Sequence, residues 1–160
     1  MPQVIIRFIL ILCTFLALPT ISLASWDGGI FAGRVLPYKA GGIDDNLTSY
    51  GTLLGYKFER FEIESALAYS SQGAGKLTTL TLAYRYQKEI EDGVYGILLG
   101  GFENNWYAAP DEFKSRLQGG SVFGAGLSIA LSRGWKVRAD VRLQFDPGSR
   151  LHLLFAVIYQ

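Results

Sequence analysis

The chain has 160 residues, of which 49% are hydrophobic and 14% aromatic, with a formal charge of +1 and a single cysteine, Cys13. That near-neutral balance, without a basic run, gives no electrostatic footprint for nucleic acid, and one domain is expected at this length. No apolar stretch after residue 24 is long and unbroken enough for a transmembrane helix, and one cysteine excludes an intrachain disulfide.

Residues 1–24 read as a secretory signal peptide: Arg7, then an uncharged apolar run over 8–18, then Ser22-Leu23-Ala24 with small residues at −3 and −1. Cys13 follows Leu12 and the apolar run continues past it, so it does not sit in a lipobox. The expected mature chain, 25–160, lacks cysteine and is close to neutral.

A first strand is expected over 29–36 with Arg34 as its charged member, followed by a long polar loop over 37–49. A second over 50–58 sets Tyr50, Thr52, Leu54, Tyr56 and Phe58 against Gly51, Leu53, Gly55 and Lys57. After a tight turn at Glu59-Arg60, a third over 61–71 sets Phe61, Ile63, Ser65, Leu67 and Tyr69 against Glu62, Glu64, Ala66, Ala68 and Ser70. Residues 72–76 form a moderate loop, and a fourth strand over 77–86 carries Arg85 on its polar side. A charged turn leads into a fifth strand over 94–102, whose parity is blurred by Gly96, Gly100 and Gly101; Tyr95, Ile97 and Leu99 are expected outward. The longest loop is expected over 103–119, with Trp106 and Tyr107 as exposed aromatics. A sixth strand over 120–131, Ser132-Arg133-Gly134, the seventh strand and an Asp-Pro-Gly-Ser turn lead to an eighth strand over 150–159.

The seventh, WKVRADVRLQF over Trp135–Phe145, shows most clearly what the others share. Trp135, Val137, Ala139, Val141, Leu143 and Phe145 take one parity, and Lys136, Arg138, Asp140, Arg142 and Gln144 the other. Strict alternation means a strand with two unlike faces, and eleven tilted residues suffice to cross a bilayer. The pattern gives an all-β chain, an eight-stranded antiparallel up-and-down transmembrane β-barrel, apolar outside and polar inside.

Alternating long and short connections assign the short turns to the periplasmic side. Trp26, Phe58, Phe61, Tyr84, Tyr86, Tyr95, Trp135 and Tyr159 then fall at that end and Tyr50, Tyr69, Phe102 and Phe145 at the other, as two interfacial girdles. Arg34, Lys57, Glu62, Glu64, Arg85, Lys136, Arg138, Asp140 and Arg142 project inward, where charges of both signs should pair and plug a narrow bore. Gly51, Gly55, Ala66, Ala68, Gly124 and Gly126 leave room for them.

GYKFERFEIESALAY (55–69) resembles the second hairpin of OmpA-like and related porin-superfamily barrels, with Gly-Tyr-Lys-Phe, a tight polar turn and glutamates on the alternating strand. The resemblance implies an outer-membrane protein surrounded by lipid and inserted by the barrel-assembly machinery. That machinery reads a terminal aromatic; here Tyr159 is followed by Gln160.

The expected role is structural or surface-interacting, with an extracellular ligand reached through loops 37–49 and 103–119, and with no cofactor, metal or catalysis. The sole histidine, His152, has no serine on its strand face to activate. Lipid A deacylases resemble the chain in size, but their outward His and Ser two residues apart are absent. Two alternatives remain open at this stage. One is a narrow ion or solute channel, and the other a soluble lipocalin-like barrel with the faces inverted around a ligand cavity.

Overall fold

Period-two alternation carries through eight consecutive strands in the computed structural model. They are β1 (Ala24–Tyr38), β2 (Leu47–Phe58), β3 (Phe61–Gln72), β4 (Gly75–Glu91), β5 (Val94–Ala109), β6 (Glu112–Ala130), β7 (Trp135–Phe145) and β8 (Ser149–Tyr159). The structure describes residues 24–38, 46–72, 75–109, 112–145 and 149–160. The expected leader, apart from Ala24, lies outside the described residues, as do 39–45 of the expected first loop.

Each strand pairs antiparallel with its sequence neighbour, and β1 pairs with β8 to close the barrel. A hydrogen-bonded row leaving β1 at Trp26 passes through Tyr56, Ile63, Tyr84, Gly100, Phe123, Leu143 and Leu151 and returns to β1 at Leu36. That stagger of ten residues over eight strands tilts them by about 40° to the barrel axis.

The two faces divide by polarity. Ile30, Leu82, Leu98, Phe102, Phe123 and Phe155 are among the exposed outer side chains, Phe102 at 68%, whereas Glu62 is 0% exposed. Apolar residues face out and charges face in, so the inverted, lipocalin-like arrangement is not adopted. Rings gather at both rims. Trp26–Tyr56 (4.9 Å), Phe61–Tyr84 (5.1 Å) and Trp135–Tyr159 (5.1 Å) pack at the short-turn end. Tyr50–Tyr69 (5.5 Å) and Phe123–Phe145 (6.3 Å) pack toward the other.

Short turns close one end. Glu59 takes a φ of 56° in the β2–β3 turn, and Arg133 and Gly134 take 60° and 81° before β7. Positive φ at Gly134 carries no Cβ penalty, and its carbonyl accepts from the Gln160 amide at 2.9 Å.

Three expectations need correction. The loop placed over 103–119 is mostly strand, because β5 and β6 continue as a ladder as far as Ala109 and Glu112. The parity expected for β5 is reversed: Ile97 and Leu99 are buried inward, while Leu98 and Phe102 are exposed outside. Tyr95 shares the inward parity and is not part of the aromatic girdle. The glycines hid the pattern that Glu103 and Asn105, both buried, would have fixed had they been read as strand.

Candidate functional site: the charged lumen

Alternation aims the inward residues of β3, β4 and β7 at a common volume. Glu64 on β3 is its hub. Its Oε2 accepts from Arg85 Nη1 at 3.0 Å and from Arg138 Nη1 at 2.6 Å, and its Oε1 from Arg142 Nη2 at 2.8 Å. Arg142 Nη2 also donates to Asp140 Oδ2 at 2.8 Å, and Arg138 Nε lies 3.0 Å from the same oxygen. Arg85 binds Glu62 as well, and Gln87 Nε2 donates to Glu62 Oε2 at 2.8 Å. All of these side chains are buried.

Missing side chains make the room. A Cβ on Gly55 would strike Glu62, one on Gly126 would strike Asp140, and one on Gly124 would lie 3.1 Å from Arg142 Cγ. Three of the six small residues expected to make space therefore abut members of the ion network directly.

Six of the expected lumen charges thus join one network: Glu62, Glu64, Arg85, Arg138, Asp140 and Arg142. Lys136 lies apart from it, 3.7 Å from Asp27 near the short-turn mouth. Lys57 points inward but is only half-buried and forms no ion pair among the described residues.

Arg34 was expected in the lumen and is not there. Asp27, Phe31 and Val35 are the buried residues of β1, which puts Arg34 on the opposite, outer face, where it is exposed. The charge that β1 sends inward is Asp27. Trp106 and Tyr107, expected in a loop, lie on β5, with Trp106 39% exposed on the outer side.

Sequence reasoning also missed a second polar group toward the long-hairpin end. Thr79 Oγ1 donates to Asn105 Oδ1 (2.7 Å), Thr81 Oγ1 to Glu103 Oε1 (3.1 Å), and Arg150 Nη1 to Gln144 Oε1 (2.8 Å). His152 Nε2 stands 3.8 Å from Glu103 Oε2. Glu103 and Asn105 escape notice because the sequence pattern ends the fifth strand at Phe102, whereas β5 continues to Ala109. The inner lumen is therefore knit by ion pairs, and the outer lumen mainly by hydrogen bonds in which at most one partner is charged, with one wider His152–Glu103 contact.

Among the described residues the register partners of His152 are Val35 and Arg142, neither of them a serine. His152 pairs with Arg142, whereas the buried Ser128 pairs with Arg138, four residues back along β7.

A closed eight-strand cylinder of this kind matches several solved barrels in fold. The N-terminal β-barrel domain of Pseudomonas aeruginosa OprF superposes with a TM-score of 0.69 at 14% identity, over 86% of this chain and 96% of that one. The chain is a small transmembrane barrel by fold. Neisserial surface protein A gives a TM-score of 0.68 at 13% identity, covering 85% of this chain and 97% of its own. The attachment invasion locus protein Ail of Yersinia pestis gives 0.56 at 18%, covering 85% and 96%. These neighbours are small outer-membrane barrels of comparable length. No protein-family model matches the barrel, and no curated protein sequence matches it.

Proposed function

We propose that this protein is a small bacterial outer-membrane barrel with a structural or surface-interacting role, its lumen closed by charge and its chemistry non-catalytic. The observation that carries the reading is Glu64 bound at once by Arg85 from β4 and by Arg138 and Arg142 from β7. Those three contacts span the bore from one wall to another, and an eight-stranded barrel is narrow enough for side chains to fill. The burial of His152, with Glu103 3.8 Å away, supports a structural rather than a nucleophile-activating imidazole.

Its proposed partners are lipid around the apolar band, the barrel-assembly machinery acting on the alternating β8, and a surface ligand at the long-hairpin rim near Trp106. Conductance across planar bilayers tests the closed lumen. The wild-type barrel should pass no steady current, and the paired Arg138→Ala, Arg142→Ala variant should. Wild-type currents equal to those of the variant would overturn the plug. Fractionation with a heat-modifiable gel shift tests the location. A protein that stays soluble without detergent and shows no shift is not an outer-membrane barrel.

A further inference from the structure

The outer face departs from its apolar composition along one row. Arg34 on β1, Thr48 on β2, Ser71 on β3 and Lys76 on β4 are successive register partners, all on the side away from the lumen. Arg34, Thr48 and Lys76 are exposed and Ser71 is half-buried. The next outward row toward the barrel's middle holds Ala32, Tyr50, Tyr69 and Thr78, with the two tyrosine rings 5.5 Å apart. Tyrosines on a lipid-facing surface settle at headgroup level, which sets the cationic row at the same boundary.

Among the described residues, nothing compensates the charge on this row. It contains no carboxylate, and neither Arg34 nor Lys76 has an ion pair among the described residues. At the short-turn end, by contrast, Arg60 follows Glu59, and Lys88 is followed by Glu89 and Glu91. Inside the barrel, Arg85, Arg138 and Arg142 all hold carboxylates. An unpaired guanidinium on the lipid face is disfavoured in hydrocarbon but suits a phosphate, which it can fork. Three strand spacings separate Arg34 from Lys76, roughly 14 Å, and the Thr48 and Ser71 hydroxyls between them are neutral donors for bridging oxygens.

We propose that this row binds the phosphorylated headgroup of a lipid in the leaflet at the long-hairpin end, with Arg34 on one phosphate and Lys76 on a second anionic group. The site rests on the membrane reading above and specifies which headgroup chemistry the barrel selects. Charge complementarity favours a lipid over a peptide ligand, because the cations stand directly above the ring that marks the bilayer surface.

The test reconstitutes the barrel in zwitterionic nanodiscs doped with either a bisphosphorylated glycolipid or a neutral glycolipid of the same chains. Native mass spectrometry then counts the lipid retained. The wild type should retain the bisphosphorylated lipid in preference, and Arg34→Gln or Lys76→Gln should each weaken retention about fivefold. Arg60→Gln removes the same charge at the opposite rim and should change nothing. Equal retention of the neutral lipid, or an equal loss in Arg60→Gln, overturns the site. Displacement of the lipid by millimolar inorganic phosphate would assign the row to free phosphate and overturn the lipid. A heat-modifiable shift is recorded for every sample. A shifting barrel without preference defeats the site alone, whereas a detergent-independent soluble protein defeats the membrane reading and the site together.

Discussion

Arg138 Nη1 donates to Glu64 Oε2 at 2.6 Å, joining β7 to β3 across the bore between residues 74 apart in sequence. Neither strand is hydrogen-bonded to the other in the ladder. The contact therefore ties walls that the backbone leaves independent, and the consequences of removing it are specific.

Glu64→Gln keeps the shape and removes the charge that three arginines share. Leaving buried guanidinium groups without their carboxylate should cost about 3–5 kcal/mol, read as a lower urea midpoint for unfolding in detergent. Adding Arg142→Met should restore part of that loss by removing one of the stranded cations. A double variant less stable than the single one would contradict the network.

Gly126→Val and Gly55→Val should each destabilise the barrel by about 1–3 kcal/mol through overpacking against Asp140 and Glu62. The measurement is the temperature at which the unboiled form is lost on a gel. Gly28→Val is the control, since a Cβ there meets nothing within 4 Å, and it should leave that temperature nearly unchanged.

The parity of β5 is open to direct labelling. In residues 25–160, which contain no native cysteine, a fluorophore on Leu98→Cys or Phe102→Cys should be quenched by lipids brominated along the chain. A fluorophore on Ile97→Cys should be protected. Quenching at Ile97 and not at Leu98 would reverse the assignment of faces.

Leu82→Lys places a cation on the lipid face of β4, where Leu82 is 57% exposed. It should cost about 2–4 kcal/mol if the site lies near the bilayer midplane, measured by reversible unfolding into urea from lipid vesicles. A cost close to zero would mean that this face meets water.

Much of this arrangement is legible in the sequence, and the exceptions share a cause. On β3 and β7 each inward position is charged, polar or small and each outward position is mostly apolar, so parity declares itself. On β1 the inward side is Asp27, Gly29, Phe31, Gly33 and Val35, with the apolar and glycine residues on both faces. Charge alone then points Arg34 inward, against its parity. Charge does not by itself set parity, and Arg34 is exposed on the outer face. Strand limits were short for a related reason. Continuation of β5 and β6 past the girdle involves polar residues on both faces, which alternation of hydrophobicity does not mark.

The return of β1 against β8 has a kinetic consequence. Gly28 meets Tyr159, residues separated by nearly the whole described chain. Closing that contact carries a large loop-closure entropy, and until it forms the growing sheet exposes two raw edges that invite other chains. Assembly should therefore be slow, dilution should favour success over aggregation, and a copy truncated before Ser149 should accumulate as a target for proteolysis.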